Sequence, residues 1–164
     1  MVSSAPDIDK IWSIISDIPD PEIPVITLTD LGIIKAVSIE DGMVLVTITP
    51  TYIGCPAMKV FEDDIVTKLN EHGYEKVKVN TVLSPAWTTD WMTEEGRKKL
   101  KDYGISPPVG TSDKTALQRE KKAIQCPRCN SMNTEMISQF GSTPCKSLYK
   151  CLECKEPFDY FKCI

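Results

Sequence analysis

The chain has a single histidine, His72, in 164 residues. That scarcity excludes a carboxylate-bridged di-iron site built on two Glu-x-x-His motifs, and it excludes H-E-x-x-H metalloproteases. Glycine is also sparse, at 8 residues, and none is spaced as G-x-G-x-x-G or as a Walker loop, so nucleotide binding has no motif to rest on. Long apolar runs are missing: nothing approaches the ~20 residues that span a bilayer, and no basic segment followed by an apolar run marks a signal peptide. With 41% hydrophobic and 26% charged residues, a soluble cytosolic protein away from the membrane is expected. Basic excess is lacking too. Residues 1–105 carry 10 basic and 17 acidic side chains, residues 106–125 carry 4 and 2, and residues 126–164 carry 5 and 4. No segment has the footprint of a nucleic-acid binder, so no nucleic-acid partner is expected. His72, in Asn70-Glu71-His72-Gly73, reads as a cation near a helix C-terminus rather than as a member of a catalytic triad.

What the chain does have is cysteine. Six of its seven cysteines lie between positions 126 and 163. In a cytosolic chain, clustered cysteines point to metal rather than disulfides, and the odd count argues against a fully paired framework. Cys126-Pro127-Arg128-Cys129 and Cys151-Leu152-Glu153-Cys154 are two C-x2-C knuckles. A two-residue spacer lets a tight turn bring both thiolates onto one metal and leaves backbone N–H groups to donate to sulfur. Four soft ligands with no open position suit structural Zn(2+). A module of about 40 residues buries too little apolar area to fold alone, so the metal supplies folding free energy. The alternative, a plant-type iron–sulfur centre, needs C-x4-C-x2-C; Cys145-x5-Cys151-x2-Cys154 misses it by one residue and breaks a better-matched pair of knuckles. Cys145 and Cys163 are left for packing or for contact with a partner.

Periodicity divides the remainder. Ile8, Ile11, Trp12, Ile15 and Ile18 recur at helical spacing until Pro19, Pro21 and Pro24 stop them. Residues 33–39 and 43–49 are strand-like around Asp41-Gly42, a turn that requires positive φ. Residues 56–71 form a second amphipathic helix, residues 76–83 alternate again, and a short helix near 94–103 ends at Gly104. The order predicts an α+β fold, a small sheet with helices on one face, followed by a small β zinc ribbon. The expected domains are residues 1–105, a linker over 106–123, and the ribbon over 124–164.

Cys55 stands apart in Thr51-Tyr52-Ile53-Gly54-Cys55-Pro56. With Pro56 as first helical residue, Cys55 takes the N-cap, where free N–H groups and the helix dipole are expected to lower its pKa. The other reading is a small buried residue at a tight turn. Asp20, Glu22 and Asp30 are either turn and helix caps or the lining of a site with Cys55.

Asp20-Pro21-Glu22-Ile23-Pro24, Asp30-Leu31-Gly32 and Gly54-Cys55-Pro56, in this order, resemble the iron–sulfur cluster assembly domain family over about residues 7–105. Further strings resemble the D-subunit family of phenylacetyl-CoA epoxidase systems: Pro85-Ala86-Trp87-Thr88-Thr89-Asp90-Trp91-Met92, Tyr103-Gly104-Ile105-Ser106-Pro107-Pro108, Phe140-Gly141-Ser142-Thr143 with Cys145-Lys146, and the stretch from Glu156 to Ile164. The resemblance implies a non-catalytic accessory protein of bacterial phenylacetate degradation that helps mature the oxygenase or reductase component. It implies transient iron or an Fe–S cluster at Cys55, with Asp20, Glu22 and Asp30 nearby, and a possible homo-oligomer. Cys145, Cys163, Trp87 and Trp91 are candidate partner contacts. The alternative role is a scaffolding subunit of the oxygenase, with Cys55 a packing residue.

Overall fold

The computed structural model describes residues 8–109 and 123–161. Two compact units divide the chain, Met1–Trp87 and Thr88–Ile164.

In the first unit, α1 (Ile8–Ser16) buries Ile11, Ile14 and Ile15 on one face. The proline-rich stretch then forms a tight excursion: Asp20 N–H bonds the Ile26 carbonyl at 2.8 Å and Leu28 N–H the Ile18 carbonyl at 2.9 Å. A short helix, α2 (Leu28–Leu31), closes it under a capping box made by Thr27 and Asp30, and Gly32 ends it in the left-handed region at φ 68°. The strands β1 (Ile34–Glu40) and β2 (Met43–Ile48) form the expected antiparallel hairpin, with Asp41 and Gly42 at φ 49° and 76°. After α3 (Ala57–Glu71) the chain returns as β3 (Val77–Thr81), parallel to β2, giving a sheet of order β1-β2-β3. A parallel return needs such a crossover helix. Val44, Val46 and Ile48 alternate into the core with Phe61, Ile65 and Leu69 of α3. His72 sits at the C-cap of α3, its Nδ1 2.8 Å from the Lys68 carbonyl, which is the helix-end role expected of it.

The second unit contains a 3-10 turn (Thr89–Trp91) and α4 (Glu94–Tyr103), capped by the Thr93 hydroxyl and by Gly104 at φ 93°. Its sheet has the order β4-β7-β6-β5, from β4 (Ile105–Ser106), β5 (Thr134–Ser138), β6 (Lys146–Cys151) and β7 (Pro157–Phe161). Ile105 and Ser106 pair in parallel with Asp159 and Tyr160 of β7. The boundary expected at 105/106 therefore falls inside a strand of the ribbon's sheet. The compact division lies at 87/88, where β4 pairs with β7 more than fifty positions away and α4 packs against β4. Most of the expected linker, residues 110–122, lies outside the described residues.

Candidate functional site

Two places carry the chemistry expected from the sequence. The first is the cysteine cluster. Cys126 and Cys151 are buried, with Ile124, Tyr149 and Phe158 completing a small core, while Cys129 is exposed and Cys154 half-buried. The tips of the two knuckles need backbone conformations that favour Gly or Asn, and they have them: Asn130 at φ 61° and Lys155 at φ 67°. All four Sγ atoms lie within 4.8 Å of one another. The Cys126–Cys154 pair is 3.8 Å apart and the Cys129–Cys151 pair 3.5 Å. A tetrahedral zinc with Zn–S bonds of about 2.3 Å sets its sulfurs about 3.8 Å apart, so the donor set fits zinc. Burial pushes the Cys151 thiol up, but hydrogen bonds from the backbone N–H groups of Cys154 and Glu153 and from neighbouring thiols outweigh it and bring the pKa to about 7. The Cys154 thiol is pushed to about 12: the Glu156 N–H lowers it, but burial and the other three thiols outweigh that. Four thiols crowded this closely cannot all ionise without a cation among them.

The second place is Cys55. The loop enters α3 through Gly54 at φ 81° and Pro56 at φ −66°, and the Met58 N–H reaches the Cys55 carbonyl at 3.2 Å. The N-cap of α3 is Pro56, with no side-chain capping hydrogen bond, so Cys55 stands one residue before the expected cap position; the Ala57 N–H and the Tyr52 side chain still favour the thiolate form of the half-buried sulfur. The expected lowering of its pKa is nevertheless overturned. Burial raises it, the carboxylates of Glu22 and Asp20 raise it further, and together these exceed the lowering by Ala57 and Tyr52. Cys55 is a thiol at neutral pH.

The acidic residues divide between the two roles considered. Asp20 Oδ1 accepts from the N–H groups of Glu22 at 2.7 Å and Ile23 at 2.8 Å, a turn cap. Asp30 Oδ2 accepts from the Thr27 N–H at 3.0 Å within the capping box. Asp20 and Glu22 are close enough to act on the Cys55 thiol electrostatically. Among the described residues, Cys55 and these carboxylates do not form a group close enough to hold an ion; the four-cysteine cluster does. Tyr52 was the residue the sequence did not single out, although its place three positions before Cys55 was a signal.

Trp87 is corrected as a partner contact. It is 4% exposed, and its indole N–H donates to the Leu31 carbonyl at 2.7 Å, so it belongs to the core of the first unit. Trp91, the last residue of the 3-10 turn, is half-buried. Of the two fates expected for Cys145, its burial favours packing: its Sγ lies 3.0 Å from the Thr143 hydroxyl. Cys163 lies outside the described residues.

Fold and cysteine cluster together define a two-module protein, an α+β unit of the iron–sulfur cluster assembly type followed by a structural zinc ribbon. Residues 8–81 match the iron–sulfur cluster assembly protein family, and residues 110–162 match the PaaD zinc beta ribbon domain. The chain is 50% identical over 159 residues to a protein of Escherichia coli (strain K12) provisionally named as the D subunit of 1,2-phenylacetyl-CoA epoxidase, with 97% of this chain and 94% of the relative covered. It belongs to the family of phenylacetyl-CoA epoxidase D subunits. Its first half is 40% identical over 83 residues to an Fe-S protein maturation auxiliary factor of Porphyromonas gingivalis, 49% of this chain and 78% of the relative. A solved DUF59 domain from Bacillus anthracis shares the fold, with a TM-score of 0.53 at 24% identity over 57% of this chain and 90% of that domain. Among the described residues, no helix is long and apolar enough to cross a membrane.

Proposed function

We propose that this chain is a non-catalytic maturation factor of the phenylacetyl-CoA epoxidase system, assisting iron or iron–sulfur loading of the oxygenase or reductase component. The observation that carries the reading is a single cysteine, Cys55, placed at the head of α3 under the field of Glu22 and Asp20, in a domain whose relatives are Fe-S protein maturation auxiliary factors. The negative field that holds the proton on Cys55 also favours an approaching iron cation. Iron capture must displace that proton, so the bond is readily reversed, and one thiolate leaves coordination positions for the client's ligands. Such a site hands metal on rather than keeping it. Cys126, Cys129, Cys151 and Cys154 are the proposed zinc ligands, and the zinc holds together a ribbon that docks the client.

The test is the iron and acid-labile sulfide content of the oxygenase and the reductase, each produced with the wild-type chain, with Cys55→Ser, and without either. A component that is metal-poor without the chain, replete with it, and metal-poor again with Cys55→Ser is the client. Full loading in all three cases refutes the maturation role. The second reading, a scaffolding role in the oxygenase, draws on the half-burial of Cys55 and the raising of its pKa, which suit a packing residue. It requires stable stoichiometric copurification with a fully loaded oxygenase.

A further inference from the structure

The four sulfurs of the ribbon are not equally sheltered. Cys126 and Cys151 are 0% exposed, Cys154 is half-buried, and Cys129 is exposed. Each knuckle thus supplies one inner and one outer ligand, and Cys129 is the outermost. The turn that carries it borders an open cleft of about 430 Å³, lined by Pro127, Arg128 and Asn130 of the knuckle and by Lys101 and Tyr103 at the end of α4. The lining carries two cations, Lys101 and Arg128, against one carboxylate, Asp102. A sulfur bound to zinc is a thiolate, and an accessible thiolate near positive charge is the kind that oxidants attack first.

A second sulfur is within reach of it. Cys151 Sγ lies 3.5 Å from Cys129 Sγ, the closer of the two contacts that cross between the knuckles; the other, Cys126 to Cys154, is 3.8 Å. Cys145 does not compete, because it is buried and stands outside the group of four.

We infer that Cys129 is an oxidative modification site, through which hydrogen peroxide converts the zinc ribbon into a metal-free disulfide form. The Cys129 thiolate attacks one peroxide oxygen, the O–O bond breaks, hydroxide leaves, and Cys129 becomes a sulfenic acid. The Cys151 thiolate then attacks the Cys129 sulfur, an S–S bond forms, and a second hydroxide leaves. Each sulfur has given up one electron, one peroxide has been reduced to two hydroxides, and two protons from solvent turn these into water. Cys126 and Cys154 remain, and two thiolates do not make the closed four-ligand set that holds structural zinc. Release of the metal removes the folding free energy on which so small a module depends. The change is reversible, since a dithiol cleaves the disulfide by exchange and the site can take zinc again. Only the zinc reading of the four cysteines is needed for this; the maturation role of Cys55 is not.

The experiment treats the zinc-loaded full chain with hydrogen peroxide beside a chromogenic zinc chelator, against a peroxide-free control, and maps the products by mass spectrometry after thiol blocking. The bound zinc is expected to be released, with a Cys129–Cys151 disulfide in the product and, when dimedone is present, a sulfenic-acid adduct on Cys129. Cys129→His keeps four zinc ligands and should release its metal more slowly, by roughly tenfold or more. Cys55→Ser and Cys145→Ser should release it at the wild-type rate. Dithiothreitol followed by zinc should restore the amide signals of β5–β7. Retention of zinc under peroxide, a first adduct on another cysteine, a disulfide that omits Cys129, or release from Cys129→His as fast as from the wild type overturns the inference. Should Cys129→His fail to take up zinc, the dimedone adduct on the wild-type chain decides: on Cys129 it upholds the site, elsewhere it removes it. A chain that holds no zinc before peroxide is added overturns the ligand assignment itself, and the oxidation site falls with it.

Discussion

In the first unit, Ile11, Ile15, Ile48, Ile65 and Leu69 are all at 0% exposure, whereas the fully buried residues around the ribbon's metal site are Ile124, Cys126 and Cys151. The first set closes a helix-on-sheet core by apolar burial alone. The second is too small to do so, and two of its three members are sulfur donors. Charge divides the same way: Met1–Trp87 holds 13 acidic and 6 basic side chains, while Thr88–Ile164 holds 10 and 13. One unit is self-sufficient and acidic, as suits a place that attracts a cation in transit. The other depends on a resident cation. On the proposed function, metal chemistry is thus split between ions that are kept and ions that are passed on.

The difference can be broken from either side. Stripping zinc with a chelator, or replacing Cys126 with Ser, should unfold the ribbon, because metal binding contributes on the order of 10 kcal/mol to folding of such modules. The first unit should survive. Amide signals of β5–β7 collapsing while those of α1 and α3 persist is the expected outcome; a folded, zinc-replete Cys126→Ser protein contradicts the ligand assignment. The opposite lesion is Ile65→Ala, which opens a cavity under α3 and should cost about 2–5 kcal/mol. Thermal unfolding followed separately in each unit should show the first melting earlier with zinc content unchanged. Simultaneous loss of both transitions in either experiment would show that the units fold as one.

How much of this the sequence disclosed follows from how local each signal is. The hairpin was legible because Asp41-Gly42 states its turn in two residues, and the zinc site because four cysteines at fixed spacing state their own geometry. Asp20 and Asp30 were legible as caps, a role settled within three residues. The pairing of Ile105-Ser106 with β7 was not, because a two-residue parallel strand has no periodicity and its partner lies more than fifty positions away. Trp87 misled for a related reason: an aromatic in a Pro- and Thr-rich stretch reads as surface until its hydrogen bond to Leu31 is seen. At Cys55 the local terms were read correctly and the sum was not. The helix N-terminus does lower the thiol's pKa, but burial and the approach of Glu22 and Asp20 are tertiary facts.

That sum gives the smallest and most specific expected effect. A thiol ionises to an anion, so burial and neighbouring carboxylates both hold its proton on, and the pH at which it becomes nucleophilic rises. Iodoacetamide alkylation of Cys55, followed by mass spectrometry on the zinc-loaded chain, should be slow at neutral pH and reach half its maximal rate above the ordinary value of 9.0. Glu22→Gln removes a repelling charge and should shift that midpoint downward; Asp20→Asn, which keeps an oxygen for the turn, should shift it in the same direction by less. Tyr52→Phe should move it upward, because the Tyr52 side chain favours the thiolate. The three signs together test the field at Cys55 without requiring any client. A midpoint below the ordinary value in the wild-type chain would restore the helix N-terminus as the dominant influence. Cys55 would then be a standing thiolate, able to hold iron firmly, and the proposed contrast between an acidic unit that releases metal and a ribbon that retains it would disappear.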